Sequence, residues 1–323
     1  MKRFTQWVSF VVLVGIAAFS IGAASADAAD KNWPRKAIRV VVPFGAGGDT
    51  DFNTRTYGKY IKQFLGKDLA VVNIGGNGGA LGSEEVKNAK PDGYTALFFH
   101  SAMNINLATN MTNYGAEAFE VCGVVGLSAG EAVVARADAP FNTVMEMIDY
   151  SKKNPNTLKI AANTGATSHW GAVVFNVEHD AALNIVNSGG SAERTANLLG
   201  GHVDVVINPI GVVLDYVKAG KLKFLAVTTS KRVHFLPDVP TCLEQGVKMS
   251  YDLTYYLMLP KGTDPAIVKK LGDAFRSVAA LPEYAEDIKT AYNQVPFTLS
   301  QEESIKYIEK EKEAFMKYNQ YFK

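Results

Sequence analysis

Short apolar runs rich in β-branched residues alternate along the chain with segments of helical periodicity. Continuous apolar runs are typical of strands that are covered on both faces. Between two such runs, residues 54–65 repeat apolar side chains at three- and four-residue spacing, and Gly66 then provides a helix end. This alternation predicts an α/β fold with mainly parallel sheets flanked by helices. The predicted strands are 38–42, 69–72, 95–99, 121–125, 132–135, 158–161, 203–207 and 224–227.

The C-terminal part of the chain follows a different pattern, in which helices succeed one another. Asp264 and Pro265 predict the start of a helix that runs to about residue 280, and Pro282 starts another. Ser300 and Glu303 have the spacing of a capping box, which predicts a final helix over 301–319. No strand is predicted between these helices, so we expect them to pack onto a sheet formed by earlier parts of the chain.

The N-terminal residues have the order of a secretory signal peptide. Lys2 and Arg3 precede the apolar stretch 7–18, and Ala-Ser-Ala at 24–26 forms a small-x-small cleavage site. The alternative is a membrane anchor, but serine and glycine residues interrupt the apolar stretch, which makes it a weak candidate for a span of ~20 residues. We therefore expect residues 1–26 to be a cleaved signal peptide and the product to be a soluble periplasmic protein.

The composition is that of an ordinary globular protein and narrows the function classes. A length of 323 residues predicts about two domains. The net charge of +1 is spread without a basic block, so no nucleic-acid partner is expected. Two cysteines are too few for a disulfide scaffold or a four-thiolate metal site. Cys122 and Cys242 could pair after export, but two separate buried thiols are the preferred interpretation.

Four glycine-rich turns follow apolar runs and precede helical segments. Such turns expose main-chain N–H groups, and the helix starts behind them add unpaired donors and the positive end of a dipole. An anion can be held there without a basic side chain. Because strand ends in open α/β sheets converge on one crevice, the turns together predict a cleft for a small organic anion. They occupy residues 43–51, 75–82, 163–169 and 187–191.

Two polar features of these turns have alternative interpretations. Asp49 and Asp51 are candidates to cap helix 54–65, while Asp51 could instead hold the loop in shape or meet a ligand. His169 follows the third turn, where it either caps the next helix or packs against a neighbouring element.

Other chemistries fit the sequence poorly. The phosphate-binding patterns G-x-x-x-x-G-K-[ST] and G-x-G-x-x-G are not met at any of the turns, which disfavours a nucleotide site. Ser128 stands in a G-x-S-x-G pattern, but the residues after it are typical of a strand, whereas a nucleophile elbow requires a helix. Ser168 and His169 are adjacent in sequence, so we expect their side chains to diverge. The five histidines lack metal-ligand spacing, and neither a metal nor a cofactor is predicted.

Nearly the whole chain after residue 30 resembles the tripartite tricarboxylate transporter receptor family, also called Bug-type periplasmic solute-binding proteins. The resemblance rests on short motifs in a fixed order, each weak alone and specific in combination. They are Trp33-Pro34, Lys36, Ile38, Val40 to Phe44, Ala46-Gly47-Gly48, Thr50-Asp51, Arg55, Gly76, Gly78-Gly79, Gly82, Pro91 to Thr95, Gly165 with Ser168-His169, Leu199 to Gly201 with Val203-Asp204, Leu225 to Thr228, Lys231-Arg232, Pro237 to Thr241 and Glu244 with Gly246.

This resemblance implies a two-lobe, type II-like periplasmic-binding-protein fold that closes on a ligand between the lobes, without catalysis. We expect lobe 1 to comprise 30–128 and 251–323, and lobe 2 to comprise 129–250. The implied ligand is a small organic carboxylate, gripped through main-chain amides and hydroxyls, with ordered waters in some members. By position, the expected ligand-binding residues are Phe44, Gly45, Ala46, Gly47, Gly48, Asp51, Gly165, Thr167, Ser168 and His169. Ser101 follows a predicted strand and is expected to face the cleft as well.

Several positions depart from the pattern of the family. Ile74 and Gly75 replace an arginine-proline pair, Asn187 and Ser188 replace a tyrosine-lysine pair, and Asn208 replaces an acidic residue. We expect Asn187 and Asn208 to belong to the distal part of the cleft, so the identity of the ligand cannot be transferred from other members.

The sequence as a whole predicts a monomeric periplasmic receptor that delivers a carboxylate to the integral-membrane subunits of a tripartite transporter. Because no lysine or arginine clamp is evident in the turns, neutral donors and helix dipoles are expected to anchor the ligand. The alternatives are an exported α/β hydrolase that uses Ser128 or Ser168, and a ligand-sensing subunit of a signalling system. The sensing alternative would use the same pocket.

Overall fold

The computed structural model of the protein describes residues 32–322 and contains two five-stranded sheets with helices packed on their faces. The predicted signal peptide lies outside these residues. Within them, every helix falls short of the length or apolarity that crossing a bilayer requires. The strands are β1 (Ile38–Val42), β2 (Leu69–Asn73), β3 (Thr95–His100), β4 (Phe119–Leu127), β5 (Glu131–Arg136), β6 (Lys159–Ala162), β7 (Asn184–Asn187), β8 (Val205–Pro209), β9 (Leu222–Val227) and β10 (Thr254–Pro260). The helices are α1 (Asp49–Tyr60), α2 (Lys62–Leu65), α3 (Ala80–Lys87), α4 (Ala102–Ala108), α5 (Val144–Lys153), α6 (Thr167–Glu178), α7 (Ser191–Leu199), α8 (Ile210–Lys218), α9 (Pro265–Ala279), α10 (Pro282–Tyr292) and α11 (Gln301–Met316).

Each sheet contains one strand that runs against its neighbours. The first sheet has the order β2-β1-β3-β10-β4, and β10 pairs antiparallel with both β3 and β4. The second has the order β7-β6-β8-β5-β9, and β5 pairs antiparallel with both β8 and β9. The chain therefore crosses from the first sheet to the second before β5 and returns before β10. The prediction of an α/β fold with mainly parallel sheets is confirmed.

The cores lie on the two faces of each sheet, and two helices connect the lobes. Phe98 and Leu257 belong to the core of the first sheet, and Val134 belongs to that of the second. Ile105 of α4 and Phe315 of α11 pack in a cluster with side chains of the second sheet. These helices thus tie the C-terminal end of the chain to both halves of the molecule.

Each of the eight predicted strands overlaps an observed strand, but the prediction omitted β7 and β10. The expected start of the first helix was also wrong. It begins at Asp49 rather than near residue 54, and Gly48 is its N-cap. Asp49 and Asp51 therefore lie in the first helical turn instead of capping it. The helix stop at Gly66, with φ of 69°, is confirmed.

The helices predicted for the C-terminal part are confirmed, although α11 ends at Met316 rather than at residue 319. The Asp264 side chain accepts a hydrogen bond from the N–H of Ala266 and caps α9. Ser300 and Glu303 form the predicted capping box of α11. The two cysteines are buried in different clusters and form no disulfide with each other, as the preferred interpretation held.

Candidate functional site

A cavity of about 40 Å³ lies between the two lobes at the ends of the parallel strands. The loop after β1, the last residue of β3, and the turns after β6 and β7 all contribute to its wall. Because β5 and β10 run in the opposite direction, it is the start of these strands that reaches the same edge. Glu131 at the start of β5 and Leu253 just before β10 therefore also line the cavity.

The loop after β1 is held open by its own hydrogen bonds. Gly47 adopts φ of 78°, a left-handed conformation that favours glycine, and its N–H donates to Oδ2 of Asp51 over 3.0 Å. The Arg55 guanidinium donates to the same carboxylate over 2.9 Å. Burial alone would raise the pKa of Asp51, but the hydrogen bonds from Arg55 and Gly47 hold it below its usual value. Asp51 therefore shapes the loop as an ionised carboxylate.

Three helices begin at the cavity, namely α1, α6 and α7. The first N–H groups of each have no acceptor within their helix, so those without another partner are available to a ligand. The N–H of Asp49 already donates to Ser191 Oγ. The first turn of α1 contains Asp49 and Asp51, and that of α7 contains Glu193, whereas that of α6 contains no acidic residue. The positive dipole end of α6 is therefore the least neutralised of the three.

Five of the residues predicted to bind ligand lie together in the cavity wall. Four of them form the first glycine turn, and the fifth, at the start of α6, is buried with 3% exposure. They are Phe44, Gly45, Ala46, Gly48 and Thr167.

The other predicted residues of the third turn lie behind the wall and shape it. Ser168 Oγ accepts a hydrogen bond from the N–H of Asn163 over 3.0 Å, and His169 Nδ1 accepts from the N–H of Gly165 over 3.2 Å. The His169 ring also packs against Phe322, with 5.4 Å between ring centroids. His169 thus both caps the turn and packs, and burial lowers its pKa.

Three further predicted residues lie away from the cavity wall. Ser101 donates to Oε1 of Glu311 over 2.7 Å and is fully buried, so it does not face the cleft. Asn187 Oδ1 accepts from the N–H of Thr164 over 3.3 Å. Asn208 Oδ1 accepts from Nε of Arg194 over 2.8 Å, which makes Asn208 a support for a side chain that does line the cavity.

The expectation that the cleft has no cationic side chain was wrong, because Arg194 lines it. Arg194 is 4% exposed, and its guanidinium also donates to the carbonyl oxygens of Gly189 and Ile207 over 2.8 and 3.2 Å. Burial lowers the pKa of Arg194, while the nearby Glu131 carboxylate opposes this shift.

Two buried carboxyl groups in the wall were also missed. Asp49 is 3% exposed and accepts hydrogen bonds from the Tyr255 hydroxyl and, over 3.3 Å, from Nε2 of Gln294. Burial raises its pKa to about 7. Glu131 is 1% exposed, accepts from the Tyr251 hydroxyl over 2.7 Å and also has its pKa raised by burial.

The sequence contained a signal for each of these missed residues. Asp49 is an acidic residue directly after two glycines of the first turn. Glu131 is an acidic residue at the start of an apolar strand, and Arg194 lies about one helical turn after the fourth glycine turn. What the sequence lacked was the pairing of strands, which brings the start of β5 to the ligand edge.

His100 also lines the cavity, as a neutral ring. Its imidazole stacks on Phe44 with 4.7 Å between centroids, and its Nδ1 accepts from the N–H of Ala102 over 3.1 Å. Burial lowers its pKa to about 3. His100 therefore contributes an aromatic surface rather than a charge.

The serines considered as nucleophiles have no activating partner in this arrangement. Ser128 donates to the carbonyl oxygen of Gly130 over 3.5 Å, and strand β5 follows it in place of a helix. Ser168 and His169 are engaged with different main-chain groups. In the described part of the chain, no group of three or more His, Cys, Asp or Glu side chains could hold a metal ion.

The chain is similar to known proteins in both sequence and structure. A family model described as the tripartite tricarboxylate transporter family receptor matches residues 54–317. The UPF0065 protein in the gbd 5′ region of Cupriavidus necator is 31% identical over 304 residues, which cover 91% of either chain. The structure of the periplasmic binding protein BugD has a TM-score of 0.82 at 28% identity and covers 90% of this chain and 98% of BugD. MatC from Rhodopseudomonas palustris with bound malate has a TM-score of 0.82 at 22% identity, covers 88% of this chain and 99% of MatC, and shows the same fold. The predicted periplasmic-binding-protein fold is confirmed.

Proposed function

The chain belongs to the tripartite tricarboxylate transporter receptor family, and we propose that it captures a small organic carboxylate between its lobes and delivers it to the membrane subunits of such a transporter. Receptors of this family are solute-binding proteins rather than enzymes. The malate bound to the structurally similar MatC is one example of the proposed ligand class. The proposal includes cleavage after residue 26 and action as a monomer in the periplasm.

The observation that carries this proposal is the convergence of three helix starts and a glycine turn on one cavity between the lobes. Main-chain N–H groups from both lobes face the same small volume, so a carboxylate bound there would contact the two lobes together. A ligand that contacts both lobes stabilises the closed form more than the open form. This differential binding is what a receptor needs in order to present a closed, loaded state to its transporter.

The test is native mass spectrometry of the purified protein for a co-purifying acid, followed by thermal-shift screening of organic acids and calorimetry of the hits. A substitution of Thr167→Phe, which fills the cavity at the start of α6, should abolish binding without loss of the folded state. The exposed Thr157→Phe serves as the matched control and should bind normally. Undiminished affinity in Thr167→Phe, or the absence of any carboxylate ligand, would count against the proposal.

A further inference from the structure

The wall of the interlobe cavity has an excess of acidic groups. Asp49, Glu131 and Glu193 contribute three carboxyl groups, whereas Arg194 contributes the one guanidinium among the described lining residues. His100 adds no positive charge, since its ring is buried and stacked on Phe44. A cleft built only to hold anions would not need this excess.

The hydrogen-bond partners of the two buried carboxyl groups are neutral side chains. The Tyr255 hydroxyl and the Gln294 amide donate to Asp49, and the Tyr251 hydroxyl donates to Glu131. Within residues 32–322, no lysine, arginine or histidine nitrogen lies within 4.0 Å of either carboxylate. The Arg194 guanidinium acts on Glu131 only through space, so neither carboxyl group has a cation in contact. A buried carboxylate in this state is unfavourable, and a cationic group that enters the cavity would be favoured.

Arg194 is not free to fill this role. Its guanidinium donates to Asn208, to the Gly189 carbonyl and to the Ile207 carbonyl, all of which belong to the second lobe. Because these hydrogen bonds fix the planar group within its own lobe, Arg194 can offer only its remaining donors to the cavity.

The same wall also provides unpartnered donors. Thr50 is 4% exposed and lines the cavity, and its hydroxyl has no hydrogen-bond partner in the described part of the chain. The start of α6, where Thr167 lies, carries no acidic residue in its first turn. Donors for a carboxylate and acceptors for a cation are therefore present in one enclosed volume.

We propose that the solute is an amino carboxylate, whose protonated amine lies against Asp49 and Glu131 while main-chain amides and hydroxyls of the cleft hold its carboxylate. This inference rests on the proposed function, and it names the class of carboxylate. An acid without an amine would leave the Asp49 and Glu131 carboxyl groups without a cationic partner in contact, whereas an amino acid supplies a carboxylate for the donors of the cleft and an ammonium group for these two acceptors.

The test compares ligands that differ only at the second carbon, with the purified receptor freed of bound solute by unfolding and refolding. Calorimetry would use matched sets such as 2-aminobutyrate, 2-hydroxybutyrate and butyrate, or aspartate, malate and succinate, and equivalent sets with longer aliphatic and aromatic side chains. We expect the amino member of the best-bound set to bind at least about 10-fold more tightly than its partners. If an unsubstituted or hydroxy acid binds equally well or better, the inference is wrong while the proposed function stands. If no carboxylate of any set binds, both fail.

Substitutions test the residues that carry the preference. Asp49→Asn keeps the size and polarity of the side chain, and it should reduce affinity for the amino ligand at least about 10-fold while changing that for the hydroxy analogue much less. Glu131→Gln should act in the same direction and serves as the second variant if the first does not fold.

The matched control is Glu311→Gln. Glu311 accepts a hydrogen bond from the Tyr256 hydroxyl, as Asp49 does from that of Tyr255, but it does not line the cavity. The control should keep the full preference for the amine. A preference that survives both Asp49→Asn and Glu131→Gln, or that is lost equally in the control, would overturn the assignment.

Discussion

At the scale of single residues, Asp49 carries a buried carboxyl group at the start of a helix, and its side chain has neutral hydrogen-bond partners. Its location in the first turn of α1 is favourable for a negative charge because of the helix dipole, whereas burial opposes ionisation. The groups that face it are the Tyr255 hydroxyl, the Gln294 amide and, through space, the Glu131 carboxyl. Burial prevails, so its pKa rises to about 7.

This shift predicts a pH-dependent stability. The folded protein retains the Asp49 proton up to about pH 7, whereas the unfolded chain releases it near 3.8, so folding becomes less favourable as the pH rises through this window. The side chain of Asn in Asp49→Asn does not ionise. The free energy of unfolding of this variant, relative to that of the parent protein, should therefore increase between pH 4 and pH 7 by on the order of 2–3 kcal/mol. Urea unfolding at several pH values measures the difference.

The control for this measurement is Asp68→Asn. Asp68 is exposed and pairs with Lys62 over 3.1 Å at the surface. Because this ion pair is exposed to solvent, its variant should differ from the parent protein by only a small free energy. A flat difference for Asp49→Asn would show that Asp49 ionises normally in the folded state.

At the scale of elements, the starts of α1 and α7 approach each other across the cleft. The N–H of Asp49 donates to Ser191 Oγ over 3.4 Å, and a Cβ atom added at Gly48 would lie 3.1 Å from the same oxygen. Glycine at this position therefore permits close approach rather than an unusual backbone, since its φ is −83°. The contact exists only while the lobes are together.

A side chain at Gly48 should consequently keep the starts of α1 and α7 apart, as a steric wedge between the lobes. Gly48→Val is expected to weaken ligand binding at least about 10-fold by disfavouring closure, with little change in the melting temperature of the unliganded protein. Gly58→Val is the control, inside the helix that Gly48 precedes. An added Cβ at Gly58 meets no atom within 4 Å, so this variant should bind normally. Equal affinities of the two variants, measured by calorimetry, would refute the wedge.

The elements also show what the sequence could predict. Apolar runs and capping residues located most strands and the C-terminal helices because these signals are local. β10 was missed even though Thr254–Pro260 is an apolar run, because its central position depends on pairing with β3 and β4, far away in sequence. For the same reason the sequence located the glycine turns of the candidate site but not Glu131, which the reversed direction of β5 brings to that edge.

At the scale of the whole molecule, the side-chain amide of Asn106 forms a hydrogen-bonded bridge between loops of the two lobes. Nδ2 of Asn106 in α4 donates to the carbonyl oxygen of Gly78 over 3.1 Å and to that of Gly165 in the second lobe over 2.7 Å. Both bonds are buried, so removal of the amide leaves two carbonyl groups without their partner in the closed form.

Asn106→Ala should therefore shift the molecule towards the open form. We expect affinity for the ligand to fall about 10-fold, equivalent to 1–2 kcal/mol. In the variant, closure buries the carbonyl groups of Gly78 and Gly165 without a hydrogen-bond donor, whereas water can reach them in the open form. Small-angle scattering should give a larger radius of gyration than for the parent protein. Asn113→Ala, an exposed asparagine just after α4, is the control. An unchanged radius and affinity would mean that the amide does not hold the lobes together.

The reversed strand in the first sheet has a consequence for how the protein is made. β3 and β4 do not pair with each other, since β10 lies between them. As the chain emerges into the periplasm in the proposed export, strands β5–β9 can assemble completely, but the first sheet remains as β2-β1-β3 with β4 unattached. The lobe that begins the chain is thus finished second, and a nascent receptor cannot trap its solute until residues 254–260 have emerged.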